Sequence, residues 1–435
     1  MACTMHSSGG MQTTHERMSA VDAAWLRMDQ PTNAMVITSL LEFDDAPSFA
    51  DVEELVTTRM LSWKRFRQRV AEPHVLPPRW VDDGGFDLRL HLHRTALPAP
   101  GGERELAELM SELGSTPLDH GRPLWQIHVI ERRRGAAILV RMHHCVGDGV
   151  ALIGLLLGVS DREHDMPTQD VGLSPTRPSG ALGFARDAAR QTATLARLLT
   201  LPRDPRTVLR GDLGARKLFA SSRPIPLAEL KAIAATHDAH INDVLVAAVT
   251  GALRRHLERN GGLPRREIRA MVPVYLRGRA RHGDLGNHFG LVFLDLPIGV
   301  AGAGERLAVG HARMNLIKRS PDAIVALEVL GALGLASPLV EDFALDLFTD
   351  KASVMFTNVA GPPDVVHLAG KPVKSMSVWA PVSGHLGLGV SALSYAGALR
   401  IGIKADARRC PDPAALLADL EAELDALRAP RGSVG

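Results

Sequence analysis

In the first 160 residues, the apolar positions follow the helical period in some segments and the strand period in others. Helical spacing of the apolar residues predicts helices from Ser48 to Met60 and from Arg104 to Leu113. Strict alternation from Trp125 to Val129 predicts a strand, and the apolar run from Ala136 to Met142 predicts a second one. The apolar segment from Val150 to Val159 follows a glycine-containing loop and predicts a buried helix.

The second half of the chain also contains segments with helical spacing and segments with strand patterns. Ile241 to Leu253 is mostly apolar and predicts a helix, whereas Phe289 to Leu296 and Leu399 to Ile403 are typical of strands. Near the end, Asp412 is placed to cap a helix that starts at Pro413. Strands and helices in both halves therefore predict an α/β or α+β protein with two lobes.

The segment between these halves has a different composition. Residues 160–222 contain several prolines, serines and glycines and one helical stretch near 181–199. The pattern predicts a first lobe at residues 1–160, an interlobe linker at 161–222 and a second lobe at 223–435.

Composition and charge narrow the class of protein. In the 435 residues, 46% are hydrophobic and 23% are charged, which excludes wholesale disorder. Fifty lysines and arginines against 48 acidic residues are too balanced for a dedicated nucleic-acid-binding protein. The three cysteines, Cys3, Cys145 and Cys410, are far apart, which argues against a disulfide framework or a cysteine zinc site and favours a cytoplasmic location.

Neither a membrane span nor a signal peptide is expected. The most apolar stretch, Ala323 to Ala336, contains Glu328 and is shorter than the roughly 20 residues that cross a bilayer. The first 18 residues lack the apolar core of a signal peptide.

The strongest candidate for chemistry is the loop between the predicted strand and helix, which carries His143, His144 and Asp148. Adjacent histidines point in different directions, so one can be fixed in the scaffold while the other faces a cleft as a general base. Asp148 can hold the loop through an ion pair or cap the next helix. A metal site is disfavoured because adjacent histidines rarely share one ion and no second cluster completes the ligand set. The alternative to a general base is that both histidines only pack in the protein core.

The string His143-His144-x-x-x-Asp148-Gly149 resembles the signature of the CoA-dependent acyltransferase superfamily. Its surroundings resemble one branch, the bacterial wax ester synthase/diacylglycerol acyltransferase family. The segments that carry this resemblance follow the family's order: Met18–Trp25, Pro117–Asp119, Arg122–Trp125, Asn242-Asp243, Val272–Arg277, Gly286-Asn287 and Asn358–Pro362. The chain departs from the family pattern at two positions. Ala360 stands where proline is usual, and Cys145 stands where alanine is common.

The resemblance implies two chloramphenicol acetyltransferase-like lobes, each a mixed sheet with flanking helices, and a tunnel between them. It implies transfer of a long-chain acyl group from acyl-CoA to a fatty alcohol or a diacylglycerol, giving wax ester or triacylglycerol. His144 would be the general base, and acyl-CoA would be a substrate, so that no cofactor is expected. Two alternatives stay open: a carrier-protein-dependent condensation or glycolipid acyltransferase, and a non-catalytic protein that binds lipid or CoA.

The resemblance also assigns supporting residues. Asp148 would be structural, with Arg277 as its candidate partner, and Gly149 would keep the tunnel open beside the base. Candidates for the tunnel wall are Trp125, Cys145, Asn287, Asn358 and Ala360. Asn242 and Asp243 would support the site. For Trp125 core packing is the favoured alternative, and for the Asn-Asp pair it is helix initiation with Asn242 as the N-cap.

Lipid substrates imply contact with the inner membrane face or with lipid droplets. Residues 181–210 combine leucines with arginines, which is compatible with a helix lying on an anionic surface. The alternative, a linker whose leucines pack against the protein, is favoured by the sequence. Complete absence from floated lipid vesicles would contradict peripheral association.

Overall fold

The computed structural model describes residues 16–72, 77–167, 180–276, 285–318, 320–335, 346, 348–382 and 384–428. For residues 180–185, 187 and 188 it describes the backbone alone. Arg277 and Cys3 lie outside the described residues.

The strands alternate with helices along the chain, as the sequence predicts. In chain order the strands are β1 (Glu16–Arg17), β2 (Val36–Phe43), β3 (Gln68–Ala71), β4 (Arg79–Asp82), β5 (Leu92–Ala96), β6 (Trp125–Glu131), β7 (Ala136–His143), β8 (Lys217–Ser221), β9 (Ile225–Pro226), β10 (Ile268–Tyr275), β11 (Phe289–Leu296), β12 (Val354–Ala360), β13 (His367–Leu368), β14 (Lys371–Pro372), β15 (Ser375–Trp379), β16 (Leu388–Tyr395) and β17 (Ala398–Asp406).

The α-helices are α1 (Ala20–Arg27), α2 (Phe49–Thr58), α3 (Glu103–Gly114), α4 (Gly149–Val159), α5 (Gly180–Thr200), α6 (Leu227–Thr236), α7 (Ile241–Arg259), α8 (Ala303–Lys318), α9 (Asp322–Leu333) and α10 (Pro413–Arg428). Short 3-10 helices cover Met60–Ser62, Lys64–Arg67 and Leu88–Leu90. No helix in the described part of the chain has both the length and the apolar character needed to cross a bilayer.

Each half of the chain builds a mixed sheet, which confirms the predicted two-lobe α/β architecture. The first sheet has the strand order β15-β2-β7-β6-β5 and is antiparallel except for the parallel pair β5–β6. The second has the order β11-β10-β12-β16-β17-β8, with β9 also paired to β17, and contains the parallel pairs β10–β12 and β12–β16.

The first sheet takes its edge strand β15 from the far end of the chain. Ser375 pairs with Glu42 and Trp379 pairs with Thr38, so the C-terminal part of the chain completes the sheet that carries the histidine loop. The hydrophobic pattern does not predict this exchange, because β15 is short and separated from β2 by more than 300 residues.

Local chemistry sets the starts of α2 and α10 where the sequence predicts them. Ser48 and Asp51 form a reciprocal capping box at the start of α2, and Asp412 accepts a hydrogen bond from the Ala415 N–H at the start of α10. The start of α7 differs from the prediction. His240 is its N-cap, so the predicted cap role of Asn242 is wrong.

The helix of the predicted linker packs against the protein. In α5 the Leu198 side chain is fully buried, and Arg197 pairs with Asp322 at the start of α9. Arg186 and Arg190 are exposed. Leu198 therefore follows the packing alternative, whereas Leu199 is exposed.

Candidate active site

The histidine loop lies between β7 and α4 and is fixed from several sides. The His143 N–H donates to the Leu124 carbonyl (3.0 Å), and the His144 N–H donates to the Met35 carbonyl (2.7 Å). Gly147 bridges to Gly286 from the second half of the chain. The loop is thus held where the two halves meet.

Asp148 is the N-cap of α4 and also ties the loop to the second half of the chain. Its Oδ1 accepts hydrogen bonds from the N–H groups of Val150 (3.0 Å) and Ala151 (2.9 Å), and its Oδ2 accepts one from the His288 N–H (3.0 Å). Burial raises the pKa of Asp148, and the N–H groups of Ala151 and His288 oppose that shift. The capping alternative is therefore present in the structure, whereas the expected partner, Arg277, is outside the described residues.

We expect Asp148→Ala to lower the free energy of unfolding by about 2 kcal/mol, because it removes a helix cap and leaves the His288 N–H without its acceptor. Asp148→Asn keeps one acceptor oxygen and should lose about half as much. Urea denaturation of the three proteins measures the difference. Equal losses in both variants would contradict the capping role.

His143 is buried behind the loop and faces a carboxylate. The Cys145 N–H donates to its Nδ1 (3.1 Å), so the proton is on Nε2, which lies 3.6 Å from the Asp29 Oδ1. Burial lowers the pKa of His143, and Asp29 opposes the shift. The protonated Nε2 faces Asp29 and is unsuited to ligate a metal through that atom. His143 therefore holds the loop.

Asp29 connects His143 to a second histidine. Its Oδ2 lies 2.9 Å from the His120 Nε2, and its Oδ1 accepts from the Met35 N–H (2.6 Å). Although burial opposes it, the hydrogen bonds from His120 and His143 hold the pKa of Asp29 well below its usual range. Hydrogen bonds to Asp29 and Glu72 raise the pKa of His120 to about 9. His120 is thus a cation at neutral pH that anchors the carboxylate behind the loop.

This raised pKa predicts a pH-dependent contribution to stability. Because the folded pKa of His120 lies above its ordinary value of about 6.5, its stabilisation is complete below pH ~6.5 and is lost as the pH rises through about 9. We expect His120→Gln to cost about 1 kcal/mol at pH ~6, since the ring is partly exposed and screened, and almost nothing near pH ~10. Urea denaturation across this range tests it; a cost that does not change with pH would contradict the ion pair.

His144 is the histidine that faces the interior space between the halves. Its ring stacks on Trp25 with a centroid distance of 4.2 Å and an interplanar angle of 13°, and Phe289 lies at 5.6 Å. The residue is 6% exposed and its Nδ1 is buried, so the Nε2 edge is the one available to a reactant. Burial lowers the pKa of His144 to about 4, and bonds to its own carbonyl and to Asn287 oppose the shift. The imidazole is therefore neutral at neutral pH.

Asn287 supports the backbone of His144. Its Nδ2 donates to the His144 carbonyl (2.8 Å) and to the Asp22 Oδ1 (2.7 Å). Burial raises the pKa of Asp22, and the Asn287 hydrogen bond opposes that shift. Asn287 thus lies beneath the candidate base and not on the cavity wall.

His144 opens onto a cavity of about 250 Å³ between the two halves, here called the central cavity. Its polar wall includes Asp148, Asn242, Tyr275, Thr357 and Asn358. Most of the remaining wall is apolar and comes from both halves: Trp25, Ile37, Gly149, Val150, Leu227, Ile241, Pro273, Phe289, Leu291, Met355, Val359, Ala360, Val378, Ala380, Pro381 and Leu399.

Two smaller apolar cavities share walls with the central one. The first, about 110 Å³, lies between the first sheet and helices α2 and α4, and it shares Gly149, Val359 and Val378 with the central cavity. We call it the α4 arm. The second, about 60 Å³, is lined by residues of α1 and α9 and shares Trp25 and Leu291. We call it the α9 arm.

Comparison with known proteins identifies the family. Residues 18–182 match the model of the wax ester synthase/diacylglycerol acyltransferase catalytic domain, and residues 285–428 match that of the C-terminal domain of the same proteins. A Mycobacterium tuberculosis (strain CDC 1551) protein, provisionally named a diacylglycerol O-acyltransferase, is 30% identical over 93% of this chain and 87% of its own length. The chain belongs to the wax ester synthase/diacylglycerol acyltransferase family.

Solved structures agree with this family assignment. A wax ester synthase/diacylglycerol acyltransferase from Marinobacter aquaeolei VT8 is 25% identical, with a TM-score of 0.69 over 95% of this chain and 98% of that one. The trichothecene 15-O-acetyltransferase of Fusarium sporotrichioides has a TM-score of 0.67 over 97% of this chain and 98% of its own, at 13% identity. At that identity the likeness concerns the fold alone, and it supports the chloramphenicol acetyltransferase-like architecture.

Some of the residues predicted to line the tunnel of this family member do line the central cavity, and others lie in the core. Asn358 and Ala360 line the central cavity, and the Asn358 Nδ2 donates to the Oδ1 of Asn242, which also lines it. Trp125 is instead a core residue whose Nε1 donates to the Phe66 carbonyl (2.9 Å), so its candidate place on the tunnel wall is wrong and the favoured alternative, core packing, is confirmed. Cys145 is also buried in the core and does not line the central cavity.

Sequence reasoning missed several residues of the site. Trp25 and Tyr275 lie within segments that carry the family resemblance, yet nothing in those segments shows that Trp25 stacks on the base. Asp29 and His120 are far apart in sequence, and no spacing rule connects them. Only the resemblance of Met18–Trp25 and Val272–Arg277 to the family could have identified the first two.

Proposed function

We propose that this protein is an O-acyltransferase that moves a long-chain acyl group from acyl-CoA to a fatty alcohol or a diacylglycerol, with His144 as the general base. One observation carries the proposal: a neutral imidazole lies in a central cavity that borders two separate apolar arms. Family membership supports acyl transfer, and the cavity supports the choice of lipid reactants.

The charge state of His144 suits a base. Proton abstraction requires an unprotonated imidazole, and the low pKa of His144 keeps the ring neutral over the whole physiological range. The ring is held on one face by Trp25, and its backbone is held by Met35 and Asn287. Because the ring is already held in place, less rotational freedom is lost when the transition state forms.

We assign each of the two apolar arms to one hydrocarbon chain. The α4 arm begins beside Gly149 and is lined almost entirely by aliphatic side chains, so we assign it to the acyl chain of the donor. The α9 arm begins on the other side, at Trp25 and Leu291, and we assign it to a chain of the acceptor. Apolar walls favour these chains through the removal of hydrocarbon surface from water. The polar groups of the central cavity would then surround the reacting carbonyl and hydroxyl.

The reaction follows from this placement. The His144 Nε2 takes the proton of the acceptor hydroxyl while the hydroxyl oxygen attacks the thioester carbonyl carbon. The tetrahedral adduct collapses, the carbon–sulfur bond breaks, and the imidazolium returns the proton to the CoA thiolate. The products are the ester and free CoA, so the step needs no covalent acyl-enzyme and no cofactor. A positioned base of this kind contributes roughly 10²–10⁴ in rate.

The test is release of free thiol from palmitoyl-CoA, measured without acceptor, with hexadecanol and with a diacylglycerol. We expect acceptor-dependent thiol release matched by an equal amount of ester. Transfer only from an acyl group carried on a carrier protein would favour the condensation-type alternative. Tight binding of palmitoyl-CoA with no ester under any condition would favour the non-catalytic alternative and overturn the proposal.

We further propose that the protein works in the cytoplasm and meets its lipids at the inner membrane face or at lipid droplets. The exposed arginines Arg186 and Arg190 on α5 support an electrostatic contact with an anionic surface. Flotation with anionic vesicles at low and high salt tests the contact, which should weaken as salt increases. Absence from the vesicles at low salt would contradict it.

A further inference from the structure

A second cluster of titratable side chains lies outside the histidine loop, where α7 begins beside α8. His240 is the N-cap of α7, Asp243 is in its first turn, and His311 comes from α8. The Asp243 Oδ2 lies 2.7 Å from the His311 Nδ1 and 3.3 Å from the His240 Nδ1. The three ligand-type atoms all lie within 4.8 Å of one another.

This spacing is close to that of a metal site. Zinc binds imidazole nitrogen and carboxylate oxygen at about 2.0–2.2 Å, which places the ligand atoms of a tetrahedral site about 3.3 Å apart. The His240–Asp243 separation already has that value, and the His311–Asp243 separation, now 2.7 Å, needs to increase by about 0.6 Å. The two rings are stacked with their centroids 5.8 Å apart, so both present Nδ1 to the same carboxylate.

Asp243 has a buried carboxylate whose side-chain partners among the described residues are His240 and His311, and the His240 N–H also donates to it. It is 1% exposed, and no lysine or arginine nitrogen of the described residues lies within 4.0 Å of its carboxylate. Its Oδ1 is buried and lacks a hydrogen-bond partner among those residues. Buried carboxylates are normally paired with a cation or bound to a metal. The positive end of the α7 dipole opposes a cation here, by about five- to thirtyfold in affinity.

Asn315 provides an outer partner for one ligand. Its Nδ2 lies 2.8 Å from the His311 Nε2, and rotation of the amide by half a turn exchanges Nδ2 and Oδ1 at this position. With the amide oxygen turned toward the ring, Asn315 accepts the Nε2 proton and leaves the Nδ1 lone pair for a metal. Such outer hydrogen bonds commonly orient metal-binding histidines. His240 and His311 retain 58% and 28% side-chain exposure, which leaves a path for ion entry and an open position for water.

We propose that His240, Asp243 and His311 form a binding site for one divalent transition-metal ion of the zinc class, with two imidazole nitrogens, one carboxylate and solvent as ligands. The site is separate from the proposed base. It joins α7 to α8 next to Asn242, which lines the central cavity. An ion here would fix the first turn of α7 and with it this part of the cavity wall. The inference is independent of the acyl-transfer proposal.

The test is titration of the full, untagged, chelator-treated chain with Co²⁺, followed by visible absorption and by competition with a chromogenic chelator. We expect one equivalent to bind with the intense absorption of a four-coordinate site, and Zn²⁺ to displace it. His311→Ala and His240→Ala should each weaken binding at least tenfold, and Asn315→Ala about tenfold. Asp243 is unsuitable as the first variant because its carboxylate also caps α7.

The matched control is His385→Ala. His385 lies 3.2 Å from Asp346 on the surface, so it forms a histidine–carboxylate pair without a second histidine, and its loss should leave Co²⁺ binding unchanged. Circular dichroism checks that each variant folds. Stoichiometric binding that survives His311→Ala in a folded protein would overturn the assignment, as would the weak absorption of hydrated Co²⁺ at saturating metal.

Discussion

Replacing His144 with alanine is expected to decrease acyl transfer by about 10²- to 10⁴-fold while the protein stays folded. The loss follows because no other neutral imidazole lines the described part of the central cavity, so the acceptor hydroxyl keeps its proton during attack. Thiol release from palmitoyl-CoA with hexadecanol measures the effect, and thermal unfolding checks the fold. Unchanged turnover in a folded variant would refute the assignment of the base.

A matched control removes another buried histidine. His256 on α7 is 6% exposed, its Nε2 lacks a partner among the described residues, and it does not line the central cavity. His256→Ala should therefore disturb packing without abolishing transfer.

The pH profile of the unmodified enzyme gives a second test. Because only the unprotonated base is active, kcat/KM should fall as the pH decreases through about 4, not through the ordinary histidine value near 6.5.

Replacing Gly149 with alanine is expected to decrease kcat/KM for palmitoyl-CoA by about 10- to 100-fold. A Cβ at this position would lie 3.2 Å from the Val359 Cγ2, at the wall that the central cavity shares with the α4 arm. The passage narrows where the acyl chain is proposed to bend away from the thioester. Acetyl-CoA has no chain to place there, so its turnover should change much less. Equal losses for both donors would contradict the assignment of the α4 arm.

Two further variants separate this effect from a general change in α4. Gly154 lies on the same helix, and a Cβ there would make only an ordinary 3.7 Å contact with Met166, so Gly154→Ala should have little effect on either donor. Val359→Ala removes the opposing side chain. In the Gly149→Ala background it should recover a large part of the palmitoyl-CoA activity, and a purely additive double variant would argue against contact between these positions.

The sequence predicts the parts of this molecule that depend on local chemistry. The period of apolar residues identifies α2, α4 and β11, and Asp148 caps α4 because a carboxylate before a helix accepts its free N–H groups. The loop with two histidines is recognisable because its residue types and order are specific. Its geometry follows from the strand before it and the helix after it.

The remaining features depend on contacts between distant segments. Asp29 and His120 meet because the end of α1 and the segment before β6 converge behind the histidine loop. Trp25 reaches His144 because α1 packs between the two halves. The cap of α7 was misplaced by sequence reasoning since asparagine is a better N-cap than histidine in general, and here the capping box with Asp243 selects His240.

Because β15 comes from near the end of the chain, the first sheet is completed late during biosynthesis. Until residues 375–379 leave the ribosome, the N–H and C=O groups along one edge of β2 lack their partner strand, although the other strands of its sheet emerged about 230 or more residues earlier. Exposed edges of this kind recruit foreign strands and promote aggregation. The nascent chain is therefore expected to need a chaperone, and truncated or split versions ending before residue 375 should be insoluble when expressed.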